Sequence, residues 1–269
     1  MPEHQSWFRF LPNYEALRAY FEGRFGDTWY AKQTIDLQHV FGAILVLAIL
    51  FIFGLLVWAR VRDVKKALLP ETKLTPRTLA ELVTEMVLGQ LEAQMGAREA
   101  RFFLPLIGSC AFFIFFSNSM GLLPGFSPPT SNLNTTLALA AVIVLTTEGY
   151  GIYRHRLGYL KEFVGGLTEW YWFITPLPYL MFLIEVIGHA ARLISLSFRL
   201  LGNMYADHTV VGVFSTLVPF LPILVPLPPM ILGVLVILVQ TAVFCLLSIV
   251  YIGLCVGEEE GEGHGSHSH

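Results

Sequence analysis

Three stretches of this chain contain no Asp, Glu, Lys or Arg: Val40 to Ala59, Phe102 to Thr147 and Met230 to Val256. An apolar run of about 20 residues is what a helix needs to cross the hydrocarbon of a bilayer. In that solvent a spanning backbone has to satisfy its own hydrogen bonds, which favours helices for runs as long and as evenly apolar as these. The rest of the composition agrees. Of 269 residues, 55% are hydrophobic and 14% charged, with a mean hydropathy of +0.62, whereas a soluble domain carries about a quarter charged residues. An ordinary soluble enzyme is excluded. So are collagen-like, disordered and disulfide-framework chains, because 21 Phe and 5 Trp stand beside only 3 Cys. Cys110, Cys245 and Cys255 lie in apolar stretches and read as small core residues.

The first span falls at 40–60. The residues before it are mixed, with no short apolar core followed by a cleavage site, so no signal peptide is expected. The run from Phe102 to Thr147 is too long for one crossing and is divided by Asn118-Ser119-Met120-Gly121 and by Pro124, Gly125, Pro128 and Pro129, giving spans near 102–122 and 133–152. Pro176 and Pro178 open an apolar stretch that reaches Leu217. Pro219, Pro222, Pro226, Pro228 and Pro229 then mark a connection before a last span at 230–256. The 178–217 stretch would be about 60 Å long as one helix, twice the hydrocarbon thickness, so it has to tilt steeply or break. The expected fold is an all-α polytopic membrane protein of five crossings whose last two helices form a long tilted hairpin. One membrane domain, 39–256, lies between an extramembrane segment, 1–38, and a tail, 257–269. Between the first two spans, 75–96 reads as an interfacial amphipathic helix. Thr75 caps it, Pro76 sits in its first turn, and Leu79, Leu82, Val83, Met86, Val87 and Leu91 share a face.

Basic residues set the orientation. Arg24 and Lys32 precede the first span closely, whereas Arg60, Arg62, Lys65, Lys66, Lys73 and Arg77 follow it. Since Lys and Arg concentrate on the cytoplasmic side, the N-terminus faces outside. Alternation then places the 118–132 turn, which has no Lys or Arg, outside and the 153–162 loop, with Arg154, Arg156 and Lys161, inside. The acidic tail with Glu258, Glu259, Glu260 and Glu262 falls inside too. His264, His267 and His269 in that tail are flanked by Gly and Ser, which give imidazoles no fixed geometry, so no metal site is expected there.

Only Arg192 and Arg199, of 17 Lys and Arg, lie beyond Lys161, and both are in the long apolar helix. Glu185, His189, Arg192, Ser195, Arg199, Asn203 and Asp207 fall within about 80° either side of one line along it. The seam is about 33 Å long, and Leu196 and Leu200 are expected on the lipid side. An Arg near mid-membrane costs from about 3 to more than 10 kcal/mol unless it faces protein or water. Arg192 has Glu185 two turns away on the same seam, with His189 between them as a bridge. Arg199 has no acidic residue three or four positions away, so its counter-charge has to come from elsewhere. Arginine does not release its proton at physiological pH. It can hold a fixed positive potential that lowers the pKa of a carboxylate brought alongside and repels a passing cation.

The stretch Ser195-Leu196-Ser197-Phe198-Arg199-Leu200-Leu201-Gly202-Asn203-Met204-Tyr205-Ala206 closely resembles the signature of subunit a of the F-type ATP synthase. Gly121-Leu122-Leu123-Pro124-Gly125, and Gln240 ahead of Ser248-Ile249-Val250-Tyr251, extend the likeness from about Val40 to Val256. The resemblance implies a stator in a bacterial inner membrane that is not itself an enzyme. Its partners would be the c-subunit ring, peripheral-stalk b subunits, the remainder of the ATP synthase and the lipid bilayer. No cofactor, metal or nucleic acid is implied. Arg199 matches the family arginine that faces the passing c-subunit carboxylate and separates two aqueous half-channels. Asn203, Asp207 and His208, with Gln240 opposite, would line the outer half-channel, and Glu185, His189 and Ser195 the cytoplasmic one. His208 stands where many members carry an acidic residue and Gly233 where they carry a histidine, so the glycine is expected to leave room for the His208 imidazole. Protons are the expected cargo, with Na+ equally open because the ion ligands would lie mainly on the c subunit.

Two other classes fit less well. An autonomous ion transporter or channel using Arg192 and Arg199 should show paired halves with matching broken helices, which this sequence lacks. A His-based metal enzyme needs ligand spacing that His155, His189 and His208 do not have. Cysteine-accessibility labelling should find positions 124–130 reactive from outside and 155–160 from inside, and finding both on one side would overturn this topology.

Overall fold

The computed structural model describes residues 14–25, 27–28, 31–32, 37–62, 75–123, 126–155, 177–217 and 227–257. Helix α1 (Tyr14–Phe25) is followed by a two-rung antiparallel ladder of β1 (Asp27–Thr28) and β2 (Ala31–Lys32), in which Asp27 pairs with Lys32 and Thr28 with Ala31. Then come α2 (Gln38–Val61), α3 (Pro76–Met120), a 3₁₀ turn (Pro129–Ser131), α4 (Leu133–His155), α5 (Leu177–Leu217) and α6 (Leu227–Gly257). Helices α2 to α6 are each long and apolar enough to cross a membrane. The chain is thus an all-α polytopic membrane protein with one small β ladder ahead of its crossing helices. The His-containing tail and the side chains of His155, His208 and Cys255 lie outside the described residues.

Helix α3 joins two segments expected to be separate. Thr75 caps it, accepting a hydrogen bond from the Thr78 backbone N–H at 3.4 Å, and Pro76 occupies the first turn. At Gly96 the backbone turns to φ 80°, ψ 167°, and helix resumes at once. A residue without Cβ adopts that conformation at little cost, so a single glycine redirects the chain and no loop intervenes before Phe102. The amphipathic face of the first segment divides in two. Val87, Leu91 and Met95 are buried in the bundle, whereas Leu79, Leu82 and Met86 stay exposed. Helix α6 also starts earlier than expected, at Leu227. Pro228 and Pro229 fit its first turn, where a missing N–H forfeits no helical hydrogen bond.

Lipid is as apolar as leucine, so membrane helices pair through close packing and interhelical hydrogen bonds rather than through exclusion of water. The core between α3, α4, α5 and α6 follows that rule. Ala100, Cys110 and Ala111 of α3, Ala140 of α4 and Cys245 of α6 let backbones approach, and Phe103, Ile107, Ile114, Ile143, Leu196, Leu200, Phe244 and Ile249 fill the space between. Buried hydroxyls tie the helices together. Thr136 Oγ1 lies 3.0 Å from Ser197 Oγ, and Thr130 Oγ1 donates to Asn118 Oδ1 at 2.7 Å. Leu196 and Leu200 are 1% and 0% exposed, so the expectation that they face lipid is wrong. They are the side of α5 that packs on the bundle, whereas Ile187, Ile194 and Phe198 of the same helix are exposed.

Helix α2 sits at the margin, with only Gly42 and Val46 buried and Ile44, Phe51, Ile52 and Trp58 exposed. It rests on the 3₁₀ turn at Gly42, where a Cβ would come within 3.2 Å of both Pro129 Cγ and Met120 Cε. Gly42→Val should therefore cost about 1–3 kcal/mol through overpacking, seen as a lower thermal midpoint of the purified protein. Gly54→Val in the same helix, where nothing lies within 4 Å of an added Cβ, should leave the midpoint unchanged. Equal midpoints for the two variants would contradict this seating of α2.

Candidate functional site

Helix α5 is 41 residues long, about 61 Å at 1.5 Å per residue, and its partners meet it in layers. It runs antiparallel to α4, through the Thr136–Ser197 contact and a contact of Glu148 with His189. It also runs antiparallel to α6, where Arg192 meets Tyr251, Asn203 meets Gln240 and Asp207 meets Gly233. His189, Arg192, Asn203 and Asp207 of the seam are therefore each set at a defined depth against a second helix.

In the first layer His189 Nε2 lies 2.5 Å from Glu148 Oε1. Its Nδ1 lies 2.9 Å from the Glu185 carbonyl oxygen and 3.4 Å from Glu185 Oε1. Glu148 ends the charge-free run that begins at Phe102, but nothing in the sequence says which helix α4 will face, so sequence reasoning missed it. One turn further on, the Arg192 guanidinium sits over the Tyr251 ring at 5.6 Å from its centre, an attraction of about 0.5–2 kcal/mol. The expected bridge from Arg192 through His189 to Glu185 is not formed. His189 does meet Glu185, but its other nitrogen turns to α4 and the arginine turns to α6.

In the middle layer Ser195 is exposed and Arg199 half-buried. Among the described residues Arg199 makes no ion pair or hydrogen bond. In the third layer Asn203 Nδ2 donates to Gln240 Oε1 across the α5–α6 interface. Gln240 is buried, and its Nε2 has no hydrogen-bond partner among the described residues. At the far end a Cβ on Gly233 would lie 2.9 and 3.2 Å from the Asp207 carboxylate oxygens and 3.1 Å from Leu122 Cδ2. Space beside the glycine is thus taken up by the Asp207 carboxylate, and the His208 side chain expected there lies outside the described residues.

The structure brings together Glu185 with His189 and Asn203 with Gln240, and leaves Ser195 and Arg199 apart from both groups. The chemistry divides in the same way. His189 with its carboxyls can hold or pass a proton, Asn203 and Gln240 can only donate and accept hydrogen bonds, and Arg199 supplies a permanent charge.

The sequence model of the family described as ATP synthase A chain matches residues 41–253. The chain is 36% identical over 268 residues to the ATP synthase subunit a of Sorangium cellulosum, covering 98% of this chain and 100% of that protein. It is 42% identical over 215 residues to ATP synthase subunit a 2 of Syntrophotalea carbinolica, covering 80% and 84%. Against the ATP synthase subunit a of Trichlorobacter lovleyi it is 46% identical over 172 residues, covering 64% and 70%. The matched region takes in α2 to α6 up to Gly253 and every seam residue from Glu185 to Gln240, and the chain belongs to the ATP synthase A chain family.

Proposed function

We propose that this chain is the static, ion-conducting subunit of a rotary F-type ATP synthase in a bacterial inner membrane, its N-terminus outside and its C-terminus in the cytoplasm. It has no catalytic site of its own. Ions driven across the membrane, each worth about 2.3 kcal/mol per 100 mV, turn a ring of c subunits, and partner subunits carry out the chemistry. The peripheral-stalk b subunits hold the chain still against the ring.

One observation carries this reading. Arg199 lies half-buried on a membrane-crossing helix with no counter-charge among the described residues. A charge so placed has to meet water or a group on another subunit. A carboxylate on a moving neighbour meets that need, and the arginine in return favours release of its proton. Two short aqueous paths then suffice. Asn203, Asp207, His208 and Gln240 line the one from outside, and Glu185, His189 and Ser195 line the one to the cytoplasm. Arg199 separates them, because its positive potential opposes passage of a cation straight through.

Cysteine placed singly at Ser195 should react with a small hydrophilic thiol reagent added from the cytoplasmic side, whereas cysteine at the buried Leu196 and Leu200 should not. Equal, negligible labelling at all three would remove the cytoplasmic path. Replacing Arg199 by Ala or Gln should abolish ATP synthesis and ATP-driven pumping while the detached catalytic head still hydrolyses ATP. Lys keeps the charge but loses the planar five-donor fork, and should also fail at coupling. Arg192→Gln should cost mainly assembly or rate, since Arg192 packs on Tyr251. Near-normal ATP synthesis with Arg199→Ala, or loss of coupling from Arg192→Gln alone in an assembled complex, would refute the assignment.

A further inference from the structure

Both ring nitrogens of His189 face oxygen. Nδ1 lies 2.9 Å from the Glu185 carbonyl oxygen and Nε2 lies 2.5 Å from a carboxyl oxygen of Glu148. Imidazole and carboxyl can each carry a proton, and at that separation the two share one hydrogen-bonded contact through which a proton can pass. The groups around it are Glu148 from α4, Glu185 and Arg192 from α5, and Tyr251 from α6 beneath Arg192.

Exposure falls in order along this cluster. Glu185 is 44% exposed, Glu148 21% and His189 16%. The more open carboxyl lies further from Arg199 along α5, and Ser195, exposed, stands between His189 and Arg199. His189 precedes Arg199 by about 15 Å of helix rise, too far for direct transfer and short enough for a few waters.

Resting on the half-channel reading above, we propose that Glu148 and His189 together form a proton-transfer station in the cytoplasmic path, with Glu148 a working member rather than a structural partner. When the pair holds a transferred proton it gives that proton to Glu185 or to water, leaving a neutral imidazole beside a carboxylate. A proton released through water from the neighbouring subunit's carboxylic acid at Arg199 restores it. At each hand-over one N–H or O–H bond breaks and another forms, and water is the only co-reactant. In the pumping direction the same steps run in reverse.

The test uses membrane vesicles holding the whole ATP synthase, with proton transport measured against the pH on the cytoplasmic face. Glu148→Gln and His189→Gln keep a hydrogen-bonding side chain, but each removes one of the pair's two proton carriers. Each should lower the rate by roughly tenfold or more, the low end or below of what a positioned acid–base group supplies. Each should also alter the dependence of that rate on cytoplasmic pH. A wild-type rate and pH slope in Glu148→Gln would overturn the proposal. If Glu148→Gln lowers the amount of assembled complex, the exchange Glu148→His with His189→Glu decides. It keeps one imidazole and one carboxyl, so recovery of the pH slope supports the station and no recovery overturns it. Arg199→Ala measured in parallel separates the two readings. Lost coupling there, with an unaltered Glu148→Gln, sinks only the station, whereas retained coupling in Arg199→Ala sinks the half-channel reading beneath it.

Discussion

A guanidinium on a membrane-crossing helix sets the terms for everything around it. It stays charged, it is costly to leave in hydrocarbon, and within the described chain it has no carboxylate to lean on. Helix α5 responds by dividing its surface. Leu196, Ser197, Leu200 and Met204 pack inward, while Ser195 and Asn203 stay exposed and Arg199 half-buried. Many membrane helices turn their polar side inward and their apolar side to lipid. Here one apolar face, Leu196, Leu200 and Met204, fills the core, another, with Ile187, Ile194 and Phe198, is exposed, and the partly buried polar seam runs along the helix with them.

Because one apolar face of α5 stays exposed, the rest of the bundle has to hold it by the other. Small residues bring α3, α4 and α6 close, and paired hydroxyls such as Thr136 with Ser197 fix the depth of α5 against α4. The antiparallel contacts of α5 with α6 then distribute function along the membrane. Asp207 at Gly233 and Asn203 at Gln240 lie toward one end, Arg192 on Tyr251 and the Glu148–His189–Glu185 cluster toward the other, with Arg199 between them. Asp207 and the Glu148–His189–Glu185 cluster are thus kept to opposite sides of Arg199.

Charge-free runs made the five crossing helices legible in the sequence, and periodicity made the α5 seam legible as a line of residues. Periodicity within one helix does not say which neighbour it will touch. Leu196 and Leu200 read as lipid-facing because the sequence of one helix does not show which of its apolar residues meet a neighbouring helix. Glu148 was overlooked because its partner lies 41 residues away on another helix. Arg192 was assigned to a carboxylate in its own helix when an aromatic ring of α6 was the nearer support. At Gly233 the absence of a Cβ makes room for the Asp207 carboxylate, a contact between helices that periodicity in one helix does not reveal. A seventh-residue spacing from Glu185 to Arg192 carries too little information to settle such choices, whereas the packed helices settle them by distance.

The central claim is that Arg199 finds its counter-charge on a neighbouring subunit, and a structure of the assembled complex tests it most directly. The quantity to measure is the separation between the Arg199 guanidinium and the nearest carboxyl oxygen of any other chain. The account predicts a c-subunit carboxyl close to Arg199 in at least one rotary position, within about 4–6 Å or joined to it by a single water, the range over which an opposite charge shifts a carboxylate's proton affinity. An Arg199 that faces only lipid in every rotary position, or that pairs with a carboxylate of its own chain, would contradict it.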